Sequence, residues 1–237
     1  MFTRPHHQRI AKVLESLDAD LLKKHNCLFA GGTAIALGYG EYRESVDMDF
    51  LVSDLSSYRY LRNLVREQGL QALMKSTDAG QFQTSDIRSD QYGIRTKVFV
   101  EGKPIKFEIV LEGRIGLAKP GKKDSILRVV SLTKLDMAAS KLLANSDRGL
   151  DRGMHCRDVI DLAMLSLSKS EFTAATTKAE AAYGEAILKD LAKVIGILGE
   201  ANGLLEGCMK AMDVSVPRAL LWQNISKLKN LSADVIS

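Results

Sequence analysis

The sequence predicts an α+β protein in which a small mixed sheet flanked by helices is followed by a helical bundle. Up to residue 130, β-branched and aromatic clusters alternate with Gly, Asp and Ser, as they do where short strands and helices are mixed. From residue 131 onward, Ala, Leu, Lys and Met dominate and proline becomes scarce, which is typical of helices. We therefore expect two domains, residues 1–130 and 131–237, with the helical one contributing side chains to a shared site.

Composition excludes several classes of protein. The 237 residues carry 33 Lys and Arg against 29 Asp and Glu, with 46% hydrophobic residues, which is ordinary for a globular chain and rules out wholesale disorder. The cysteines and histidines are few and lack metal-ligand spacing. The longest stretch without charge, residues 26–40, is shorter than the roughly 20 apolar residues of a membrane span. With no apolar run behind the first residues, we expect a cytoplasmic protein that has no membrane segment.

The first part reads, in order, as a helix, a strand and a turn, followed by alternating strands and helices. Apolar residues at helical spacing predict one helix over residues 9–24. The apolar run 27–30 stops at two glycines, as a buried strand does before a tight turn. Further along we expect a helix over 33–38, a strand over 46–52, a helix over 56–68, hairpin strands over 95–100 and 105–111, and a last strand over 126–130.

The second part is predicted to be helical throughout. A helix is expected over residues 131–144, with Ser131 or Thr133 as its candidate N-cap, because a Ser or Thr side chain can accept a hydrogen bond from the first turn. A second helix is expected from about His155 to Leu167, and amphipathic stretches follow at 178–198 and 217–228.

Two short motifs carry the chemistry of the first part. Gly31 and Gly32 lie at a strand-to-helix turn, where backbone N–H groups and the helix N-terminus favour an anion such as a phosphate. Asp47 and Asp49 are two residues apart on a predicted strand, so both carboxylates project from one face. Val46, Met48 and Phe50 then point the other way. Paired carboxylates favour a cation, and hard oxygen ligands suit Mg²⁺.

Glu108 is the candidate third carboxylate. It is the single acid in the strand-like run 105–110, and on a neighbouring strand it would join the aspartates around a two-metal site. Lys106, two residues earlier, would share its face. The long connection before this run leaves Glu101 and Glu112 as alternatives, although the first lies at the predicted turn and the second at the end of the strand.

These motifs, taken with two later ones, resemble the AbiEii/AbiGii toxin nucleotidyltransferases, which have a polymerase-β-like nucleotidyltransferase core. The resemblance covers about residues 25–165. It rests on Gly-Gly-Thr-Ala-Ile-Ala-Leu at 31–37, Arg-Glu-Ser-Val-Asp-Met-Asp-Phe at 43–50, Lys-Leu-Asp-Met-Ala-Ala-Ser-Lys-Leu-Leu-Ala at 134–144 and Arg-Asp-Val-Ile-Asp-Leu at 157–162. Residues 170–237 resemble nothing that we can name.

The resemblance implies a role for each core residue. Asp47 and Asp49 would hold Mg²⁺ and bridge it to an NTP, whose phosphates would contact Gly31, Gly32 and Thr33. Glu108 would bind a second metal ion and help to deprotonate the attacking hydroxyl, which would displace pyrophosphate from the α-phosphate.

The resemblance also implies roles for residues around this core. Lys141 would neutralise the triphosphate, and Asp158 belongs to the last motif of the family, with a surface ion pair as its alternative reading. Asp161 and Arg157 resemble structural partners between helices. Arg43 and Ser45, just before the aspartates, are expected on the approach to the nucleotide, or else in a polar loop.

The acceptor is less well determined than the reaction. We expect a tRNA, another RNA or a protein as acceptor, and the resemblance suggests a cognate antitoxin that blocks the toxin. A cluster of basic residues could contact an RNA backbone or could simply be a solvated loop. Two other functions stay open: a catalytically silent binding module with this fold, and transfer to a small molecule such as an antibiotic. The basic residues in question are Lys103, Lys106, Arg114, Lys119, Lys122, Lys123 and Arg128.

Overall fold

The computed structural model describes residues 2–78, 80–151, 153, 156–200 and 203–236. The chain divides into two compact units, Met1–Glu41 with Ser45–Thr133 and Tyr42–Glu44 with Lys134–Ser237. The second unit therefore includes a three-residue segment that lies, in sequence, just before the predicted aspartate pair. Within the described ranges, no helix is both long enough and apolar enough to cross a bilayer.

A mixed sheet forms the centre of the first unit. Among the described residues its strand order is β1-β2-β6-β5-β3, and β4 also pairs with β5. β2 and β6 run parallel, whereas the other pairs are antiparallel, so the predicted α+β class with a small mixed sheet is confirmed. The strands are β1 (Leu28–Ala30), β2 (Asp47–Val52), β3 (Gln83–Thr84), β4 (Arg88–Ser89), β5 (Gly93–Val100) and β6 (Lys103–Leu111).

Helices cover this sheet and close an aromatic core. The rings of Phe29, Phe50 and Phe107, from three neighbouring strands, follow one another at centroid distances of 5.3 Å, and all three side chains are fully buried. Such rings bury a large apolar area and hold β1, β2 and β6 together. The helices of this unit are α1 (Pro5–Ser16), α2 (Ala19–Lys24), α3 (Gly31–Gly38) and α4 (Leu55–Gln68), followed by a short 3₁₀ turn at Leu70–Leu73.

The single helix predicted over residues 9–24 is wrong, because the chain breaks at Leu17 and Asp18. The Asp18 carboxylate accepts hydrogen bonds from the backbone N–H groups of Asp20 and Leu21, at 3.1 and 2.9 Å, and so caps α2. Leu17 forms an isolated bridge with Met74. The apolar spacing continues across the break, which is why periodicity alone predicts one helix.

The two predicted hairpin strands are confirmed, but the strand over 126–130 is not one strand. Glu101 and Gly102 form the turn between β5 and β6, with φ of 53° and 72°. Residues 125–130 instead fold into a small antiparallel ribbon of β7 (Ser125–Ile126) and β8 (Val129–Val130). Leu127 and Arg128 both have positive φ, of 48° and 72°, and so reverse the chain where the sequence has no glycine to signal a turn.

The described secondary structure of the second unit is helical. The amphipathic stretch expected over 178–198 is helical but is divided between two helices, since Gly184, at φ 60°, ends one helix and a second begins at Ala186. The predicted start of a helix at His155 lies outside the described residues. Ser131 is bridged to Phe29, which leaves Thr133 directly before the first of these helices. The helices are α5 (Lys134–Arg148), α6 (Arg157–Met164), α7 (Lys169–Tyr183), α8 (Ala186–Glu200), α9 (Leu204–Ala211) and α10 (Arg218–Ile236).

Candidate active site

The turn between β1 and α3 requires glycine at its first position. Gly31 has φ 71°, a conformation that L side chains rarely adopt, and a Cβ there would overlap Oδ2 of Asp49 and lie 3.0 Å from its Cβ and Cγ. The missing side chain therefore lets the Asp49 carboxylate lie against the start of α3. Gly32 follows within the first turn of α3, where the backbone N–H groups of a helix N-terminus favour binding of an anion.

Thr33 connects this turn to the chain that leads into β2. Its side chain is buried, and Oγ1 lies 2.8 Å from Oγ of Ser45 and contacts the carbonyl oxygen of Asp47. Because the hydroxyl is engaged in these contacts, the part of Thr33 suited to a phosphate is its backbone N–H. Ser45 was expected on the approach to the nucleotide, and the structure places it in this buried hydrogen-bonded connection.

Asp47 and Asp49 share one face of β2, and their neighbours point into the core. Met48 and Phe50 are fully buried, whereas both aspartates are half-buried, as the period of two requires. Val46 does not belong to this pattern. It was expected in the strand with its side chain inward, but the strand begins at Asp47 and Val46 is 48% exposed.

The register of the sheet brings Glu108 beside the aspartates. Asp49 is paired with Glu108 and Asp47 with Lys106 across the parallel strands β2 and β6. The Glu108 carboxylate is held by two cations, with Oε1 3.2 Å from Nε of Arg95 and Oε2 2.7 Å from Nζ of Lys106. The structure thus places Lys106 and Glu108 on one face, and it adds Arg95 from β5, which the sequence did not single out.

The two alternatives to Glu108 lie elsewhere. Glu101 is in the β5–β6 turn and forms ion pairs with Arg9 and Lys12. Glu112 follows β6, four residues beyond Glu108, or about 13 Å along a strand, and pairs with Arg114. Neither carboxylate has the aspartates as its neighbours in the sheet.

The aspartate pair fits a divalent cation through two carboxylates. Among the residues that the structure describes, no group of three His, Cys, Asp or Glu side chains has metal-binding geometry, and the Glu108 carboxylate is paired with Arg95 and Lys106. Mg²⁺ is commonly bound by one or two carboxylates, with substrate phosphates and water completing the shell. Asp47 and Asp49 provide this donor set beside the Gly31 turn.

A buried ionic cluster occupies the second unit. Nζ of Lys141 lies 2.8 Å from Oδ1 of Asp158 and 2.6 Å from Oδ2 of Asp161, and its side chain is only 7% exposed. Arg43 joins Asp161 with two hydrogen bonds, from Nε at 2.6 Å and Nη2 at 2.8 Å. Asp158 also accepts from Arg148, and its carboxylate is buried, which does not fit the alternative reading of a surface ion pair.

Charge compensation keeps the two aspartates of this cluster ionised. Burial alone would raise the pKa of Asp161, but the nearby Lys141 and Arg43 lower it below its ordinary value. The same balance between burial and the charge of Lys141 lowers the pKa of Asp158. Asp161 is a structural partner, as expected, but it pairs with Arg43 and Lys141 where Arg157 was expected.

The basic residues predicted as one cluster are divided by the fold. Lys106 and Arg114 are bound to carboxylates on β6 and just after it. Lys119, Lys122 and Arg128 line a cavity of about 720 Å³ in the first unit. Acidic side chains line the same cavity, among them Glu15, Asp18, Asp20 and Asp124.

Comparison with known proteins identifies the family. A family model described as "Nucleotidyl transferase AbiEii toxin, Type IV TA system" matches residues 12–227. This match extends well beyond residues 25–165, over which the sequence resembles the family, and it includes most of residues 170–237, for which we could name no resemblance. No curated protein matches the chain.

Two of the solved structures that match the chain illustrate the similarity in fold. JHP933 from Helicobacter pylori is 15% identical, with a TM-score of 0.54 over 99% of this chain and 93% of its own. MenT4, a nucleotidyltransferase toxin from Mycobacterium tuberculosis, is 15% identical, with a TM-score of 0.52 over 98% of this chain and 86% of its own. The match of the family model over most of the chain shows that this protein belongs to the AbiEii nucleotidyltransferase toxins of type IV toxin–antitoxin systems.

Proposed function

We propose that this toxin transfers an NMP from an NTP to a hydroxyl of a macromolecular acceptor, a tRNA or a protein, with the help of Mg²⁺. The observation that carries the proposal is the same-face pair Asp47 and Asp49, with Asp49 packed against the Gly31 turn. Carboxylates and an anion-binding turn at one place are what a metal-bound triphosphate requires. We expect the reaction in the cytoplasm, where NTPs are available, and an antitoxin as the partner that blocks it.

The chain's own residues hold and orient the reactants. Backbone N–H groups at Gly31 and Gly32 bind phosphate oxygens, and Asp47 and Asp49 bind the cation. The cation, when bound, neutralises charge that develops on the phosphoryl oxygens. We keep Glu108 as the third acid because its neighbour in the sheet is Asp49. In that role it would leave Arg95 and Lys106 and accept the proton of the attacking hydroxyl.

Glu108 has a second possible role that variants can separate. If Glu108 serves only to hold the side chains of Arg95 and Lys106, then Arg95→Gln and Lys106→Gln should abolish transfer as completely as Glu108→Gln does. If it is the third acid, freeing its carboxylate should leave transfer largely intact, while Glu108→Gln should abolish it without weakening NTP binding.

Lys141 and Asp158 stay predictions as nucleotide-contacting residues. Within its own unit Lys141 already has two carboxylate partners, so a contact with the triphosphate would have to compete with them. Lys141→Met tests this role if NTP affinity is measured on folded protein. Unchanged affinity would make Lys141 a structural residue.

The proposal is tested by incubating the protein with each labelled NTP, total RNA and a cell lysate, with Mg²⁺ or with a chelator. We expect Asp47→Asn and Asp49→Asn to lose at least about a hundredfold in rate, since a metal ligand contributes several kcal/mol. Asp86→Asn makes the same change at an exposed site and should be active.

The outcomes separate the candidate functions. Label on RNA or on protein identifies the acceptor class, and label on a small molecule would favour the antibiotic-type reaction. Mg²⁺-dependent NTP binding in calorimetry without any labelled product would instead favour the silent module. Transfer that is unchanged in both aspartate variants would contradict the proposed site.

A further inference from the structure

Two adjacent histidines at the start of α1 contact the segment that leads into β2. His7 is fully buried, with Nδ1 2.8 Å from Oε1 of Glu41 and Nε2 3.1 Å from the backbone nitrogen of Ser45. Nε2 of His6 lies 3.0 Å from the carbonyl oxygen of Val46. As a sequence feature, the pair looked like a polar N-terminus without metal-ligand spacing.

The hydrogen-bond partners determine the tautomer of His7. The backbone N–H of Ser45 can only donate, so Nε2 accepts from it, and the ring proton is on Nδ1, where it is donated to Glu41. Partial burial raises the pKa of Glu41, but hydrogen bonds from Thr3, His7 and Arg4 lower it to about 2. The ionised carboxylate therefore keeps the proton on Nδ1, and Nε2, which carries no proton, can accept from Ser45.

Ser45 and Val46, the two residues held by the histidines, lie between an anchored stretch and β2. Just before them, the backbone N–H of Glu44 donates to the carbonyl oxygen of Met212 at 2.9 Å, and the side chain of Arg43 is bonded to Asp161. Ser45 and Val46 themselves are neither helical nor part of a strand, and β2 begins only at Asp47. Cross-strand pairing of β2 with β6 likewise starts at Asp47. A backbone without a hydrogen-bonded ladder opens more easily than one within a sheet.

Ser45 links the histidine to the candidate site. Its Oγ lies 2.8 Å from Oγ1 of Thr33, which in turn contacts the carbonyl oxygen of Asp47. We propose that His6 and His7 are positioning residues, which hold the backbone of Ser45 and Val46 and thereby determine where the Asp47 carboxylate lies. The inference rests on the proposed function of Asp47.

Two isosteric substitutions separate the two hydrogen bonds of His7. An Asn amide can occupy the place of Nδ1 and donate to Glu41, but it offers no acceptor to Ser45. The longer Gln reaches the place of Nε2 and can accept from Ser45, but it loses the bond to Glu41. His7→Gln should therefore keep the segment in place, whereas His7→Asn should not. Gln8→Ala is the matched control, because Gln8 is the exposed next residue and its amide binds only Phe2 among the described residues.

Two measurements decide the matter, both made where circular dichroism shows every variant folded. Hydrogen exchange of residues 44–49 should accelerate in His7→Asn and stay near the wild-type rate in His7→Gln and Gln8→Ala. The kcat for NTP transfer should fall on the order of tenfold or more in His7→Asn, with KM less affected, because small displacements of catalytic groups are costly. His7→Gln should retain most of kcat.

Three results have distinct meanings. Equal losses in the Asn and Gln variants, in proportion to their stability, would make His7 a purely structural residue and overturn the proposal. Exchange at residues 44–49 that is unchanged in His7→Asn would overturn it as well. Inactive wild-type protein would defeat the proposed function, but the exchange comparison would still decide whether His7 holds the segment before Asp47.

Discussion

Replacing Asp161 with Asn should strongly destabilise the second unit. The carboxylate is fully buried and accepts four hydrogen bonds, from the hydroxyl of Tyr42 at 2.5 Å, from Nε and Nη2 of Arg43 at 2.6 and 2.8 Å, and from Nζ of Lys141 at 2.6 Å. An amide keeps the shape of the side chain but removes its charge. It also presents an NH₂ group to donors that need an acceptor.

The size of the effect follows from these contacts. Each oxygen of Asp161 receives two of the four bonds, so the new NH₂ group leaves two charge-assisted or phenolic donors without a partner. A hydrogen bond to a charged group is worth about 1.5–3 kcal/mol. Removing one partner of a buried ion pair costs about 3–5 kcal/mol. Two lost bonds correspond to about 3–6 kcal/mol and the broken ion pair to about 3–5 kcal/mol, so we expect a loss of about 3–5 kcal/mol in the free energy of unfolding.

The loss is measured by urea denaturation followed by circular dichroism. Glu185→Gln makes the same change in an exposed ion pair of the same unit, and it should leave the midpoint where it is. Adding Arg43→Met to Asp161→Asn should recover part of the loss, because it removes the uncompensated cation. A loss below about 1 kcal/mol in Asp161→Asn would refute the reasoning, since the buried cluster would then be worth no more than a surface pair.

Three further changes test the first unit. Gly31→Ala should abolish transfer, because a Cβ at this position overlaps Asp49. Gly40 also has a positive φ, 85°, but a Cβ there meets nothing within 4 Å, so Gly40→Ala should cost stability and leave transfer intact. Equal activity of the two variants would contradict the packing argument. Folding lowers the pKa of Glu41 from 4.5 to about 2, so the ionised carboxylate contributes fully to the free energy of unfolding above pH 4.5 and loses this contribution as the pH falls toward 2. In denaturation curves, the stability difference between wild type and Glu41→Gln should therefore shrink over that pH range. Glu101→Gln, at the β5–β6 turn, should not change kcat, and a clear loss would reopen Glu101 as the third acid.

Local patterns predicted most of the first unit. The strand-turn-helix at residues 28–38 follows from an apolar run that stops at two glycines, and the hairpin follows from a Glu-Gly turn between two β-rich runs. The errors have a common cause. In the predicted helix over 9–24 the chain breaks at the capping residue Asp18, and in the predicted strand over 126–130 it reverses at Leu127 and Arg128, which have positive φ although they are not glycine. Neither break interrupts the hydrophobic pattern of the sequence.

The sequence by itself determined the family, the α+β class and the placement of Asp47 and Asp49 on one face of a strand, because these depend on residues a few positions apart. Only the tertiary structure decided which distant side chains meet. His7 and Ser45 are 38 residues apart and Arg43 and Asp161 are 118 apart, and a hydrogen bond between such positions leaves no periodic trace in the chain. The parallel register of β2 and β6 likewise decided that Glu108, and neither Glu101 nor Glu112, lies beside Asp49.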